Sequence, residues 1–207
     1  MRVVAPDVHQ LTGFPPNQIN VYLVGDVLVD SGTASARRRV LRQLEGATLS
    51  AHVVTHAHPD HFGASHAICT TRGIPLWAGA HDVTAIETGA MQVPASPVAG
   101  ALSRMPPPPA HPVDRALREG DEVAGFTVLE VPGHTPGHIA LWREADRVLL
   151  CGDVFFHLGR VTKPPDFLTL DPERNRRSMQ RLRALRPDLV LFGHGAPARR
   201  PVTHRHR

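Results

Sequence analysis

Between Thr55 and His61 the chain reads Thr-His-Ala-His-Pro-Asp-His, directly after the apolar pair Val53-Val54. Four groups able to bind a metal, His56, His58, Asp60 and His61, therefore fall within six residues at what reads as the end of a buried strand. Alternate residues of an extended segment face the same way, so His56 and His58 can grip one ion from a single side. Asp60 and His61 follow where the chain turns towards a helix and can serve a neighbouring position. Such density suggests two metal sites, because that many desolvated polar groups would otherwise lack partners.

Strands and helices alternate around this motif. Val21–Val24 and Val27–Asp30 read as a hairpin across Gly25-Asp26, closed by Asp30-Ser31-Gly32. Asp30 suits two roles there, a carboxylate steadying a metal-bound histidine from behind or a plain turn former. Half-buried helices are expected over Ala36–Leu44 and Phe62–Thr71, with strands over His52–Thr55 and Ile74–Trp77. Further strands are expected over Phe126–Val131, Leu189–Phe192 and a hairpin of Ile139–Trp142 with Val148–Cys151. Asp171-Pro172-Glu173 starts a helix that carries Met179, Leu182 and Leu185 inward. The pattern predicts one mixed α/β domain spanning 1–207, with ligand-type residues at strand ends.

Residues 91–114 break the rhythm, with prolines at 94, 97, 106–109 and 112. That content argues against helix or sheet interior and favours a flap over the site. The net charge is +4, but no basic stripe interleaved with aromatics occurs, so a small-molecule substrate is expected and nucleic acid is not. The basic end, 198–207, reads as a solvated tail. Cys69 and Cys151 fit buried thiols of a reducing compartment. Neither a leader nor a membrane-spanning apolar run is present, which points to a cytoplasmic protein. Oligomeric state leaves no readable mark.

Three later segments repeat the habit of ending strands in ligand-type residues: Pro132-Gly-His-Thr-Pro-Gly-His138, Gly152-Asp153 and Phe192-Gly-His-Gly195. Singly, Asp153 is a turn residue, His194 a loop histidine and His138 a packed strand residue; spacing alone does not choose between His134 and His138. Taken in order with Asp30-Ser31-Gly32 and the central motif, over roughly Asn20 to Pro197, these segments resemble the metallo-β-lactamase superfamily of metal-dependent hydrolases.

The resemblance implies an αβ/βα sandwich, two mixed sheets flanked by helices with the site at one edge. It implies one ion on His56, His58 and His134, a second on Asp60, His61 and His194, and Asp153 bridging them. Asp60 would also orient the attacking hydroxide. Imidazole and carboxylate donors suit two zinc ions and are compatible with iron or manganese. Within the family, the aspartate at 153 argues against antibiotic hydrolysis, and Phe156 stands where homoserine-lactone hydrolases carry tyrosine. The pattern is nearest to glyoxalase II-type thioester hydrolases, without their C-terminal glutathione-binding extension. A thioester or ester hydrolase is therefore expected, with a mononuclear-iron persulfide dioxygenase, a lactonase or a phosphodiesterase as alternatives. Arg160 and Lys163 lie near where that group binds a substrate carboxylate, though an exposed basic loop explains them equally.

Overall fold

The computed structural model describes residues 1–90, 92–94, 97, 100 and 106–199. One sheet runs in the order β1 (Arg2–Ala5), β2 (Val8–Gln10), β3 (Tyr22–Val24), β4 (Val27–Val29), β5 (Ala51–Val54), β6 (Leu76–Gly79) and β7 (Arg115–Leu117). It is antiparallel up to β4 and parallel beyond. The second sheet is built from β8 (Glu122–Val123), β9 (Phe126–Glu130), β10 (Ile139–Arg143), β11 (Val148–Leu150), β14 (Leu189–Leu191) and β15 (Ala198–Arg199). Its one parallel pair among the described residues is β11 with β14. A small hairpin, β12 (Phe156–His157) with β13 (Val161–Thr162), stands apart from both.

Strand side chains alternate between two interiors, as a period of two requires. Val27, Val29, Ala51 and Val53 face Val128, Ile139, Leu141, Leu150 and Leu191 of the other sheet, and all are buried. The intervening Leu28 and Val54 pack outward with α1 (Arg37–Gln43), α3 (Ser65–Arg72) and α4 (Val83–Thr88). On the opposite side, Leu129, Leu149 and Val190 meet Met179 and Leu182 of α5 (Pro172–Ala184). The result is the helix–sheet–sheet–helix sandwich that the motif order implies. Parallel neighbours need crossover helices, so β4, β5 and β6 end at one edge, as do β9, β11 and β14 in the second sheet.

Asp171 caps α5 by accepting the Arg174 N–H at 2.8 Å, and Pro172 opens the helix. The helix expected over Phe62–Thr71 is two: α2 (Pro59–Phe62) and α3 are separated at Gly63-Ala64, where Gly63 lies against the backbone of Thr33 and Ala34. The strands β1, β2, β7, β8 and β15 and the helix α4 carry no periodicity long enough to mark them. Of the proline-rich connection, 106–113 has no regular structure, whereas Pro97 and Gly100 are helical; proline's fixed φ is compatible with a first helical turn. Its residues 91, 95, 96, 98, 99 and 101–105, and 200–207 of the basic tail, lie outside the described residues. Both cysteines are free and buried, and burial pushes the Cys69 thiol up to about 12. No helix among the described residues is long and apolar enough to cross a membrane.

His52, on β5, is fully enclosed, with Nδ1 on the Leu28 carbonyl and Nε2 2.8 Å from Ser65 Oγ. Burial lowers its pKa to about 4, against the pull of Leu28 and Asp30. The unfolded chain takes up this proton first, so the linked stability is intact above about pH 6.5 and declines as pH falls towards 4. Chemical unfolding across that window should show His52→Gln escaping roughly 3 kcal/mol of the acid-side loss suffered by the unaltered protein. Parallel pH profiles for the two would contradict this.

Candidate metal centre

Five loops meet at the common strand edge. The turn after β5 brings His56 and His58, the adjoining α2 brings Asp60 and His61, and the turns after β9, β11 and β14 bring His134, Asp153 and His194. His56, His61, His134 and Asp153 are all buried. The potential ligand atoms of His56, His58 and His134 lie within 4.8 Å of one another, as do those of His56, His61 and Asp153, and those of Asp60, His61 and His194. Asp153 Oδ2 lies at the hub, 3.2 Å from His194 Nε2, 3.5 Å from His61 Nε2 and His134 Nε2, and 3.8 Å from His56 Nε2. Such convergence requires glycine at 193, where a Cβ would collide with the Asp153 carboxylate and the His61 ring.

Each of the five imidazoles has one nitrogen tied away from the hub. His61 Nδ1 donates to Asp30 Oδ2 at 2.8 Å, His58 Nε2 to the Gln92 carbonyl at 2.9 Å, and His194 Nδ1 to the Gln18 carbonyl. His56 Nδ1 lies 3.1 Å from Thr55 Oγ1, whose own hydrogen goes to Asp30. His134 Nδ1 lies 3.2 Å from Thr169 Oγ1, whose hydrogen goes to the Pro165 carbonyl. All five partners are acceptors, so in a neutral ring the outward nitrogen carries the hydrogen and the inward one a bare lone pair.

The inward nitrogens crowd one another. His56 Nε2 faces His58 Nδ1 at 3.2 Å and His61 Nε2 faces His194 Nε2 at 3.4 Å. Those separations match the roughly 3.3 Å between two ligands bound at about 2.05 Å in a tetrahedral shell. His134 Nε2 and Asp153 Oδ1 are buried without a hydrogen bond. Converging lone pairs and an orphaned carboxylate oxygen are what a cation resolves and a protein interior otherwise avoids. The residues therefore fit divalent metal.

The field also favours positive charge. Burial alone would lower His194 and His61, yet the neighbouring carboxylates win: Asp153 and Asp60 lift His194 to about 10, and Asp153, Asp30 and Asp60 raise His61. Burial would raise Asp153, but His194 and His61 hold it far below the usual carboxylate range. At the other end of the site, burial and imidazole neighbours hold His56 and His134 well below their ordinary value, keeping them neutral donors.

The structure also separates His134 from His138. His138 Nε2 accepts the Asp153 N–H at 3.2 Å, which turns the ring to the back of the loop. Asp30 is a supporting carboxylate rather than a simple turn former. It bonds His61 and receives the Thr55 N–H and O–H at 2.8 and 2.9 Å, its backbone held at φ 59. Lys163 is paired with Asp166 at 2.6 Å on an exposed loop.

Asp82 carries no such signal in the sequence. Placed before α4, it reads as a helix cap, yet its side chain makes no capping bond. Fully buried, it accepts the Ala57 N–H at 2.8 Å, the Thr135 hydroxyl at 2.6 Å and the Gly137 N–H at 2.7 Å. One carboxylate thus ties the His56–His58 turn of one sheet to the His134 turn of the other. Burial raises its pKa, partly offset by these three donors.

Residues 14–194 match the family model described as the metallo-beta-lactamase superfamily. The chain belongs to that superfamily. It is a metal-dependent hydrolase of the metallo-beta-lactamase fold. This superfamily member is 29% identical to the probable metallo-hydrolase YflN of Bacillus subtilis, over 93% of this chain and 85% of that protein. It is 36% identical to a hydroxyacylglutathione hydrolase of Methylococcus capsulatus over 67% of its own length, but spans only 44% of that protein. Among solved structures, TTHA1623 in a di-iron-bound form aligns at a TM-score of 0.68 and 31% identity, covering 96% of this chain and 93% of that one. The B3 metallo-beta-lactamase BLEG-1 aligns at 0.71 and 29%, covering 93% of each.

Asp82→Ala should strand two buried N–H groups and a hydroxyl, costing about 3–5 kcal/mol in urea unfolding, and should weaken metal binding although Asp82 reaches no metal site. A loss below about 1 kcal/mol with unchanged metal affinity would show that the two loops do not need the tie.

Proposed function

We propose that the protein hydrolyses thioester or ester bonds at a centre of two divalent ions. His56, His58 and His134 hold one, Asp60, His61 and His194 the other, and Asp153 is shared between them. The observation carrying this reading is the convergence of five inward imidazole nitrogens, four of them within 3.8 Å of Asp153 Oδ2. When bound, such a pair supplies Lewis acidity, acidifying a water from about 15.7 towards about 7 and polarising the acyl oxygen.

The chain supplies position. Asp60 Oδ2 lies 3.1 Å from His194 Nε2, and the Asp60 side chain is about one-third exposed, the only partly open carboxylate of the set. His61 and His194 overcome the effect of burial and hold Asp60 below the ordinary carboxylate range. A base that weak orients the attacking water by accepting its hydrogen bond rather than storing its proton. Asp30 and Thr55 fix the rings of His61 and His56, and Thr169 fixes that of His134.

Donors of imidazole and carboxylate type favour zinc, and a di-iron relative supports iron as the alternative. Likeness to hydroxyacylglutathione hydrolases supports the thioester, but the chain spans about half the length of those relatives, so glutathione is not part of the reading.

Metal analysis should give two equivalents per chain. His61→Ala and His194→Ala should each lose one equivalent and reduce turnover about a hundredfold or more, and Asp153→Ala should deplete both. Full occupancy with undiminished turnover in these variants would refute the ligand assignment. A panel of thioesters, esters, lactones, phosphodiesters and β-lactams tests the bond cleaved. Oxygen uptake by an iron-loaded protein without hydrolysis would replace this reading with the dioxygenase one.

A further inference from the structure

His138 shares a turn with His134 and is fully buried, yet it belongs to none of the candidate ligand groups among the described residues. Its Nε2 accepts the Asp153 N–H at 3.2 Å, so in the neutral ring the hydrogen sits on Nδ1. That Nδ1 is enclosed and has no hydrogen-bond partner. A buried donor without an acceptor is destabilising, and an apolar side chain of similar size would avoid it. The only hydrogen bond made by this ring among the described residues goes to the residue at the hub of the cluster.

The surroundings are shaped to that bond. Gly152 precedes Asp153 with φ 50, and a Cβ there would collide with His138 Nε2 and come within 3.1 Å of Thr55 Oγ1, so only glycine lets the ring reach the Asp153 N–H. The backbone of His138 is clamped as well: its carbonyl accepts the Val131 N–H at 2.8 Å, and the next residue, Ile139, donates to the Thr55 carbonyl at 2.9 Å. The ring packs against His56 at a centroid distance of 4.6 Å. It is therefore a rigid acceptor fixed between β9, β10 and the turn after β5. Asp30 and Asp82 brace the histidine-bearing segments, whereas this ring grips the backbone that carries the hub carboxylate.

We propose that His138 is a positioning residue for Asp153: by holding the Asp153 N–H it keeps Oδ2 at the hub, so that both ions are retained together. This rests on Asp153 being the ligand shared between the ions and goes beyond it, since His138 touches neither metal site. A bond to backbone two steps removed from an ion acts as an outer partner does, through the orientation of the ligand rather than through its chemistry.

Two variants of similar volume separate the acceptor from the bulk of the ring. In His138→Gln the side-chain carbonyl can take the Asp153 N–H; in His138→Met no acceptor of comparable strength is present. Competition with a zinc chelator should show His138→Met weakened about 10- to 100-fold for both zinc equivalents together, with His138→Gln recovering most of the loss. Urea unfolding and circular dichroism check that each variant folds. With a substrate that is turned over, kcat should fall in the methionine variant while KM changes little. Zinc held by the methionine variant as tightly as by the unaltered protein, or lost equally by both variants, overturns the role. A second arm needs no substitution: nitrogen NMR of histidine-labelled protein, with and without zinc, should find the His138 ring protonated at Nδ1 and bare at Nε2 in both states. A ring protonated at Nε2, or one whose Nε2 takes up zinc, overturns the role even if neither variant folds. Zinc retention that follows the acceptor, without turnover of any substrate, removes the hydrolytic reading and leaves the role of His138 standing.

Discussion

Five imidazoles and two carboxylates aimed at one hub set the terms for the rest of this molecule. Five imidazoles turn one nitrogen each towards this hub, and each is prevented from turning away because its other nitrogen is already engaged by Asp30, Thr55, Gln92, Thr169 or Gln18. Rotating any ring would break an outward bond and bury an unpaired donor. The large apolar interface between the sheets holds this arrangement in place.

Rigidity comes from a few buried acids used as braces. Asp30 receives three donors and Asp82 three, none of them exposed to competing water. Neither acid is among the candidate ligands, yet between them they hold three of the ligand-bearing segments: Asp30 the β5 turn and α2, Asp82 the β5 turn and the turn after β9. This division leaves Asp153 free to face the hub of the cluster. Its Oδ1 has no hydrogen bond, whereas both braces are fully occupied.

Much of this is legible in the chain because the candidate ligands lie in short local motifs at the ends of strands with clear apolar runs. Ligand-type residues gathered as densely as Thr55–His61 have few uses besides metal. What escaped was of two kinds. The carbonyls of Gln18 and Gln92 have no side-chain signature, since any residue supplies one, and Asp82 looks like an ordinary helix cap until the partner loop arrives from far along the chain. Strands of two to four residues such as β2, β7 and β8 are too short for a pattern to rise above chance, and the break at Gly63 arises from tertiary contact with Thr33 and Ala34. His134 and His138, alike in sequence setting, are told apart by position: the Asp153 N–H occupies His138 Nε2, while His134 Nε2 lies 3.5 Å from Asp153 Oδ2.

The candidate ligands are shared out unevenly, His56, His58, Asp60 and His61 from the sheet of β5, and His134, Asp153 and His194 from the sheet of β9, β11 and β14. Neither half owns a complete candidate ligand group, so the two halves of the gene product are bound to a common fate. A nick, swap or truncation that parts them would break up every candidate site at once, and a bound ion would in turn rivet one layer to the other.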